Sequence, residues 1–347
     1  MTVVVKLGSS LVVGRKGAVR RSVLRRRAQE IAAVVGRGES VAVVSSGAIA
    51  LGLPLLGLER RPRAVPRLQA ASALGQARLH RAWEHALTRE DLLAAQVLLT
   101  AGDIADRGAY VNARNALLAL FAAGAVPIVN ENDATATDEI TFGDNDALAA
   151  HVAILVRARL LVLLTEVEGV FTRSPGTLGA ELVDDGSAAG DVVLGEVSRL
   201  GRGGMRSKVL AARMAAAAGI PTVIAGGASD AVLAPILAGE RRGTRFHGAE
   251  SGRGLSAYKL WLRFGKPAAG RLHVDEGARR AVAVEGRSLL AVGVVSCEGR
   301  FEPGDAVELV GVDGNIFAKG VASAALSEIA SRPRGLEAVH RDRLVVF

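Results

Sequence analysis

The chain has 347 residues, half of them hydrophobic, only 3% aromatic, and carries a formal charge of +8 with a single cysteine, Cys297. So much apolar matter excludes a disordered or fibrous chain and the length allows two domains. One cysteine excludes an intrachain disulfide and a cysteine-rich metal site, and Cys297 is read as a small buried hydrophobe. A core poor in aromatic residues must be built from Ala, Val, Leu and Ile, which suits buried parallel strands under Ala-rich helices. The positive charge permits attraction to phosphates, on a nucleotide or on RNA, without choosing between them. No signal-peptide layout precedes the first strand and no uncharged apolar run is long enough for a bilayer, so a cytoplasmic protein without a membrane partner is expected.

Residues 2–10 (TVVVKLGSS) read as a buried strand with Lys6 near its carboxyl end, opening into a Gly8-Ser9-Ser10 turn. An ammonium group placed there needs an anionic partner, which a structural ion pair or a catalytic site would each supply. The turn offers backbone N–H groups and hydroxyls that suit a phosphate. A basic helix over about 19–35 follows, and its run RRSVLRRR at 20–27 is read as a solvated face. A second strand at 41–44 leads into Ser45, Ser46, Gly47 and Ala48, repeating the first strand, turn and helix start; Gly47 lets a ligand approach the backbone.

Leu53, Pro54 and Pro62 interrupt the pattern before a long amphipathic helix over 65–87, in which Trp83 is read as packing. A strand at 92–99, a helix at 109–123 and a strand at 125–129 continue the alternation. Helical crossovers between short apolar strands imply an α/β fold, a mostly parallel open sheet sandwiched between helices.

The stretch NENDATATDEITFGDNDALAA at 130–150 then gathers Glu131, Asp133, Asp138, Glu139, Asp144 and Asp146 with Asn130, Asn132 and Asn145, and holds no lysine or arginine. The preceding strand ends where the polar residues begin, and strand ends are where ligands sit in α/β sheets. Asp144 is a candidate N-cap for a helix through Val156, which would put the second acidic cluster at a positive helix end. A solvated loop with capping aspartates is the alternative.

A strand at 160–164 next meets Thr165 and Glu166, and GRGGMRSK at 201–208 opens an Ala-rich helix over 205–218. Three glycines before a helix start, with Lys208 one turn inside, suit an anion. The order of Ser207 and Lys208 is not that of a Walker A loop. A strand at 221–224 and a last helix complete the large domain near Phe246. Composition shifts between 248 and 270, so the chain is divided into a domain over 1–250, a linker over 251–269 and a domain over 270–347. The last reads as β segments at 271–274, 289–297, 305–309 and 316–321, a small β-rich domain.

Two lysines at strand or helix ends, several Gly-rich turns and one acid and amide cluster make a coherent set for phosphoryl transfer. Neither a serine triad nor metal-ligand histidine spacing is visible. A carboxylate acceptor is already a nucleophile at neutral pH, so the obstacle is the repulsion between two anions, roughly 4 kcal/mol at about 4 Å and an effective dielectric near 20. Lys6 and Lys208 could offset it from two sides, leaving catalysis to positioning and charge stabilisation.

The motifs VKLGSS at 5–10, VSSGAIALG at 44–52, NEND at 130–133, FGDND at 142–146, LLTEVEGVFT at 163–172 and GGMRSK at 203–208 occur in the order found in one family. In these the chain resembles the glutamate 5-kinases of the amino-acid kinase superfamily, with a C-terminal PUA domain in the segments GRLHVDEGARRAV and IFAKGVA. The resemblance implies that Lys6 and Lys208 stabilise the transferring phosphoryl group and that Asp146 orients them. It implies a glutamate site from Ser46, Gly47, Asn130, Asp133, Asp144 and Asn145. It implies an ATP site from Lys6, Gly8, Ser9, Thr165, Glu166, Arg202, Gly203, Gly204, Met205, Arg206, Ser207 and Lys208. The implied reaction converts ATP and L-glutamate to ADP and L-glutamyl 5-phosphate with Mg²⁺, with proline as feedback inhibitor and a homo-oligomer as the assembly. The family commonly has Asp where Glu166 stands and Thr where Arg202 stands, which bears on nucleotide contacts. A related kinase acting on aspartate, acetylglutamate or carbamate, and an RNA-binding protein using the PUA tail, are the alternatives.

Overall fold

Apolar runs too short for buried helices become strands. Among the described residues they are β1 (Thr2–Leu7), β2 (Ser40–Ser45), β3 (Leu93–Leu99), β4 (Ala125–Glu131), β5 (Leu160–Thr165), β6 (Thr222–Gly226) and β7 (Thr244–Phe246). They form one sheet in the order β3-β4-β2-β1-β5-β6-β7, parallel throughout except for the antiparallel edge pair β6 and β7. The computed structural model describes residues 1–14, 17–135, 145–187, 204–250 and 255–347, which divide into two units, Met1–Arg253 and Gly254–Phe347.

The strand order reverses at β1. From it the chain builds outward through β2 on one side, and then resumes with β5 on the other, so the carboxyl ends of β1 and β5 border the crevice where ligands bind in open α/β sheets. Alternation along β1 decides what faces where: Val3, Val5 and Leu7 join the core that holds Leu79 and Trp83, which leaves Val4 and Lys6 on the opposite face.

The first unit's helices are α1 (Ser9–Val12), α2 (Arg21–Val35), α3 (Ala48–Gly52), α4 (Val65–Thr88), α5 (Ala101–Ala105), α6 (Arg107–Ala122), α7 (Asn145–Val156), α8 (Met205–Ala217) and α9 (Leu233–Leu237). On α4, Ala71, Ser72, Gly75, Gln76, Leu79, Trp83, Ala86 and Leu87 are buried, a stripe at helical spacing. The helix packs on α3 so closely that a Cβ at Gly75 would stand 1.8 Å from the Ala48 carbonyl oxygen and one at Gly52 1.7 Å from that of Ala71. Only glycine permits that approach.

Several expectations are corrected. The strand expected at 125–129 runs on to Glu131, and Asn130 and Glu131 are buried, so the polar stretch begins inside the sheet and not beyond it. The helix expected at 109–123 forms as α6, capped by Asp106, but a short helix that was not expected, α5, precedes it, started by a capping box of Thr100 and Asp103. Strand β7 was not anticipated. The basic run at 20–27 is not uniformly solvated: Arg27 is fully buried, paired with Glu30 at 3.0 Å and donating to the Ser229 carbonyl at 2.7 Å. Glu30 in turn accepts from the Val232 and Leu233 N–H groups at the start of α9.

In the second unit the strands are β8 (Ala268–Val274), β9 (Leu289–Leu290), β10 (Val294–Gly299), β11 (Ala306–Val310), β12 (Ile316–Ala322) and β13 (Glu337–Val346), ordered β10-β8-β11-β12-β13-β9. The expected segment at 289–297 is broken by a 3₁₀ turn at Ala291–Gly293, where a Cβ on Gly293 would meet Ala278 at 2.5 Å. Strand β13 escaped notice because charged residues occupy its middle. Within 251–269, Leu260, Trp261 and Leu262 are buried in helical turns. Cys297 is partly exposed rather than buried, packs beside the core of this unit, and its thiol is pushed up by desolvation, which makes it a poor nucleophile.

Candidate active site

Lys6, near the end of β1, and Lys208, one turn into α8, are separated by two hundred residues of sequence and meet at one carboxylate. Asp146, in the first turn of α7, is fully buried; one of its oxygens pairs with the Lys6 ammonium and the other lies 3.0 Å from the Lys208 ammonium. The Ser207 hydroxyl stands 2.9 Å from that second oxygen and 2.8 Å from the Gly204 carbonyl, with one proton for the two. Both lysines are themselves more than nine-tenths buried. Removing charges from water is costly unless they are paired, and α7 supplies the pair by presenting Asp146 on the face of the sheet where Lys6 points.

Next to Asp146 along α7, Asn145 begins a neutral row. Its Nδ2 donates to the Ser46 hydroxyl at 2.9 Å and to Asn130 Oδ1 at 2.8 Å, and Asn130 Nδ2 donates to Gln76 Oε1 at 2.7 Å. Ser46 follows β2, its N–H bonded to the Leu7 carbonyl, and the next residue, Gly47, has φ +120°, a conformation that L side chains rarely adopt. Asp133 accepts from the Ser72 hydroxyl at 2.5 Å; burial pushes its carboxyl up from the ordinary value, while the Ser72 bond and the Arg61 charge pull it down. Trp83, read as packing, does pack, and its Nε1 also donates to the Ser45 hydroxyl at 2.9 Å.

Gly8 and Thr165 border the crevice, the Gly8 N–H bonded to the Leu164 carbonyl and the Thr165 carbonyl accepting from Gly227. Gly204 and Met205 lie at the start of α8, half-buried, whereas Ser9, Glu166 and Arg206 are exposed. Glu166 pairs with Arg20 at 4.0 Å across solvent, a contact of little energy. Asp144, Arg202 and Gly203 lie outside the described residues, as do Asp138 and Glu139.

Ser72 and Gln76 went unnoticed in the sequence, yet one α4 face puts them against Asp133 and Asn130. Their signal was available: two polar residues four apart on an otherwise apolar buried stripe. A cleft of about 300 Å³ opens beside them, lined also by Gln96, Leu98, Glu131 and Asn132. Among the described residues no three of His, Cys, Asp and Glu cluster to hold a metal, and no helix is long and apolar enough to cross a membrane.

Comparison with known proteins extends the picture. Residues 1–226 match the model of the amino acid kinase family and residues 270–341 that of the PUA domain. A glutamate 5-kinase of Syntrophotalea carbinolica is 40% identical, over 99% of this chain and 96% of its own length. Glutamate 5-kinases of Acinetobacter baumannii and Pelobacter propionicus are each 41% identical over 99% of this chain, covering 96% and 97% of the relatives. Among solved structures an isopentenyl phosphate kinase, 23% identical, superposes with a TM-score of 0.53 over 71% of this chain and all of its own, which shows a shared fold. With paired lysines at the sheet's reversal point and end-to-end likeness to these enzymes, the chain belongs to the amino acid kinase family, among its glutamate 5-kinases, and carries a PUA domain.

Proposed function

We propose that the chain transfers the γ-phosphoryl group of ATP to the γ-carboxylate of L-glutamate, giving ADP and L-glutamyl 5-phosphate, the first step of proline synthesis. The observation that carries the chemistry is the convergence of Lys6 and Lys208 on Asp146. The acceptor carboxylate needs no base. It must approach a phosphoryl group of like charge, and an ammonium on each side of the transferred group offsets that repulsion in a site already withdrawn from water. Asp146 holds both ammonium groups in place, so little reorganisation remains at the moment of transfer.

The residues fit a nucleotide that brings its own Mg²⁺, since the described donor set offers oxygen atoms at the crevice but no three-carboxylate cage. When bound with the nucleotide, the ion would supply positive charge that offsets the charge developing on the phosphates. Gly8, Thr165 and the start of α8 would border the phosphates, and Ser46, Asn130, Asn145 and Asp133 would hold the amino acid. Proline as feedback inhibitor and a homo-oligomer belong to the same reading.

A coupled ADP-release assay across L-glutamate, aspartate, acetylglutamate and carbamate tests it. Glutamate should give the highest kcat/KM, and a higher value for any other acid would overturn the assignment. An RNA role for the second unit gains little from charge: residues 254–347 hold 13 Lys and Arg against 11 Asp and Glu, so most of the basic surplus lies on the kinase unit.

A further inference from the structure

We propose that Gln76 binds the acceptor, its side-chain Nε2 donating to the α-carboxylate of the amino acid while Asp133 takes the α-ammonium; this rests on the glutamate reading above. Gln76 is 7% exposed, lies on the wall of the 300 Å³ cleft, and its Oε1 is committed to Asn130. Its Nε2 has no hydrogen-bond partner among the described residues. A buried amide donor left unpaired costs free energy, so such a group is either watered or meant for a ligand.

The order of the row says what kind of ligand. Asn145 donates to Asn130 and Asn130 donates to Gln76, which leaves an unused acceptor, Asn145 Oδ1, at one end and an unused donor, Gln76 Nε2, at the other. The Asn145 end adjoins Asp146 and both lysines, where the reacting carboxylate must lie. The Gln76 end is therefore the remote one, and there a carboxylate, Asp133, stands against the same helix, because Ser72 and Gln76 are four residues apart on α4. A neutral donor beside an acidic acceptor matches the two charged groups on the α-carbon of a free amino acid. The close packing of Gly75 and Gly52 fixes α4 against α3, so the distance between the remote end and Ser46 is set by backbone and not by flexible side chains.

The test uses the full chain, with steady-state kinetics on L-glutamate and competitive inhibition by glutarate, which has both carboxylates and no ammonium. Gln76→Met keeps the volume and removes the donor. It should raise KM for glutamate by roughly ten- to a hundredfold and weaken glutarate to a similar degree, with kcat and KM for ATP within about twofold. Asp133→Asn should weaken glutamate and leave glutarate nearly unchanged. Gln76→Glu, which adds a negative charge to the same shape, should weaken glutamate further than Gln76→Met. An unchanged KM in Gln76→Met, or a lower melting temperature with KM unaltered, means that Nε2 holds a structural water only and overturns the proposal. Failure of the wild type to release ADP with glutamate would overturn the kinase reading itself, an outcome seen before any variant is made.

Discussion

At the lysine end of the crevice three charged side chains are buried against one another, whereas at the amide end most of the buried polar groups are amides and hydroxyls linked in a row. The two ends pay for burial differently. Charges taken out of water are tolerable only as a complete set, so removing the shared member should be felt at once in fold and in activity. Neutral hydrogen bonds each contribute about 1 kcal/mol, so losses there should be graded and confined to binding.

The sharpest way to break this contrast is Asp146→Asn. With its charge gone, Lys6 and Lys208 are left side by side, and the chain should lose about 3–5 kcal/mol of stability along with its turnover. Lys208→Met leaves the Lys6 to Asp146 pair intact. It should cut kcat by about 10²–10³-fold while lowering the denaturation midpoint less than Asp146→Asn does. Urea titration beside ADP-release kinetics separates the two variants. Equal destabilisation by both would mean that Asp146 is not the element that holds the cluster together.

How much of this was legible in the sequence follows from the same physics. Lys6 could be found because a lysine in VVVKL contradicts its apolar surroundings, and Asp146 because the acidic stretch had no cations of its own to pair with. Their meeting required the fold, since nothing local in the sequence connects residues 6, 146 and 208. Arg27 was misread because a run of arginines looks solvated until Glu30 and the carbonyls of the loop before α9 are known to enclose one of them. Ser72 and Gln76 left only a faint signal, for the opposite reason: two polar residues four apart on a helix stripe carry little weight until the helix is known to face Asn130 and Asp133. In β13 the polar run HRDR masked a strand in which only Ala338, Val339, Leu344 and Val345 are buried.

Helix α7 joins the two ends, and it carries a titratable group of its own. Burial lowers the His151 imidazole to about 4 from 6.5, so the ring is neutral in the folded chain at neutral pH. Stability tied to the neutral ring is fully present above pH 6.5 and is lost as pH falls toward the lowered value, by about 2 kcal/mol between pH 7 and pH 5. Replacing His151 with Leu should flatten urea midpoints across that range, whatever it does at pH 7. An equally steep decline in the variant would assign acid sensitivity to other groups.

The smallest effect expected lies under the amide end. Trp83 donates to the Ser45 hydroxyl in a fully buried contact, directly before Ser46 and Gly47. Ser45→Ala strands the indole N–H and should cost about 1 kcal/mol, or about 2–4 °C in melting temperature for a unit of this size. Because Ser45 braces the turn without facing the amide row, KM for glutamate should stay within about twofold, unlike Gln76→Met. A tenfold rise in KM at unchanged stability would place Ser45 among the groups that bind the amino acid, and the division between a binding row and its packing support would have to be redrawn one residue earlier in the chain.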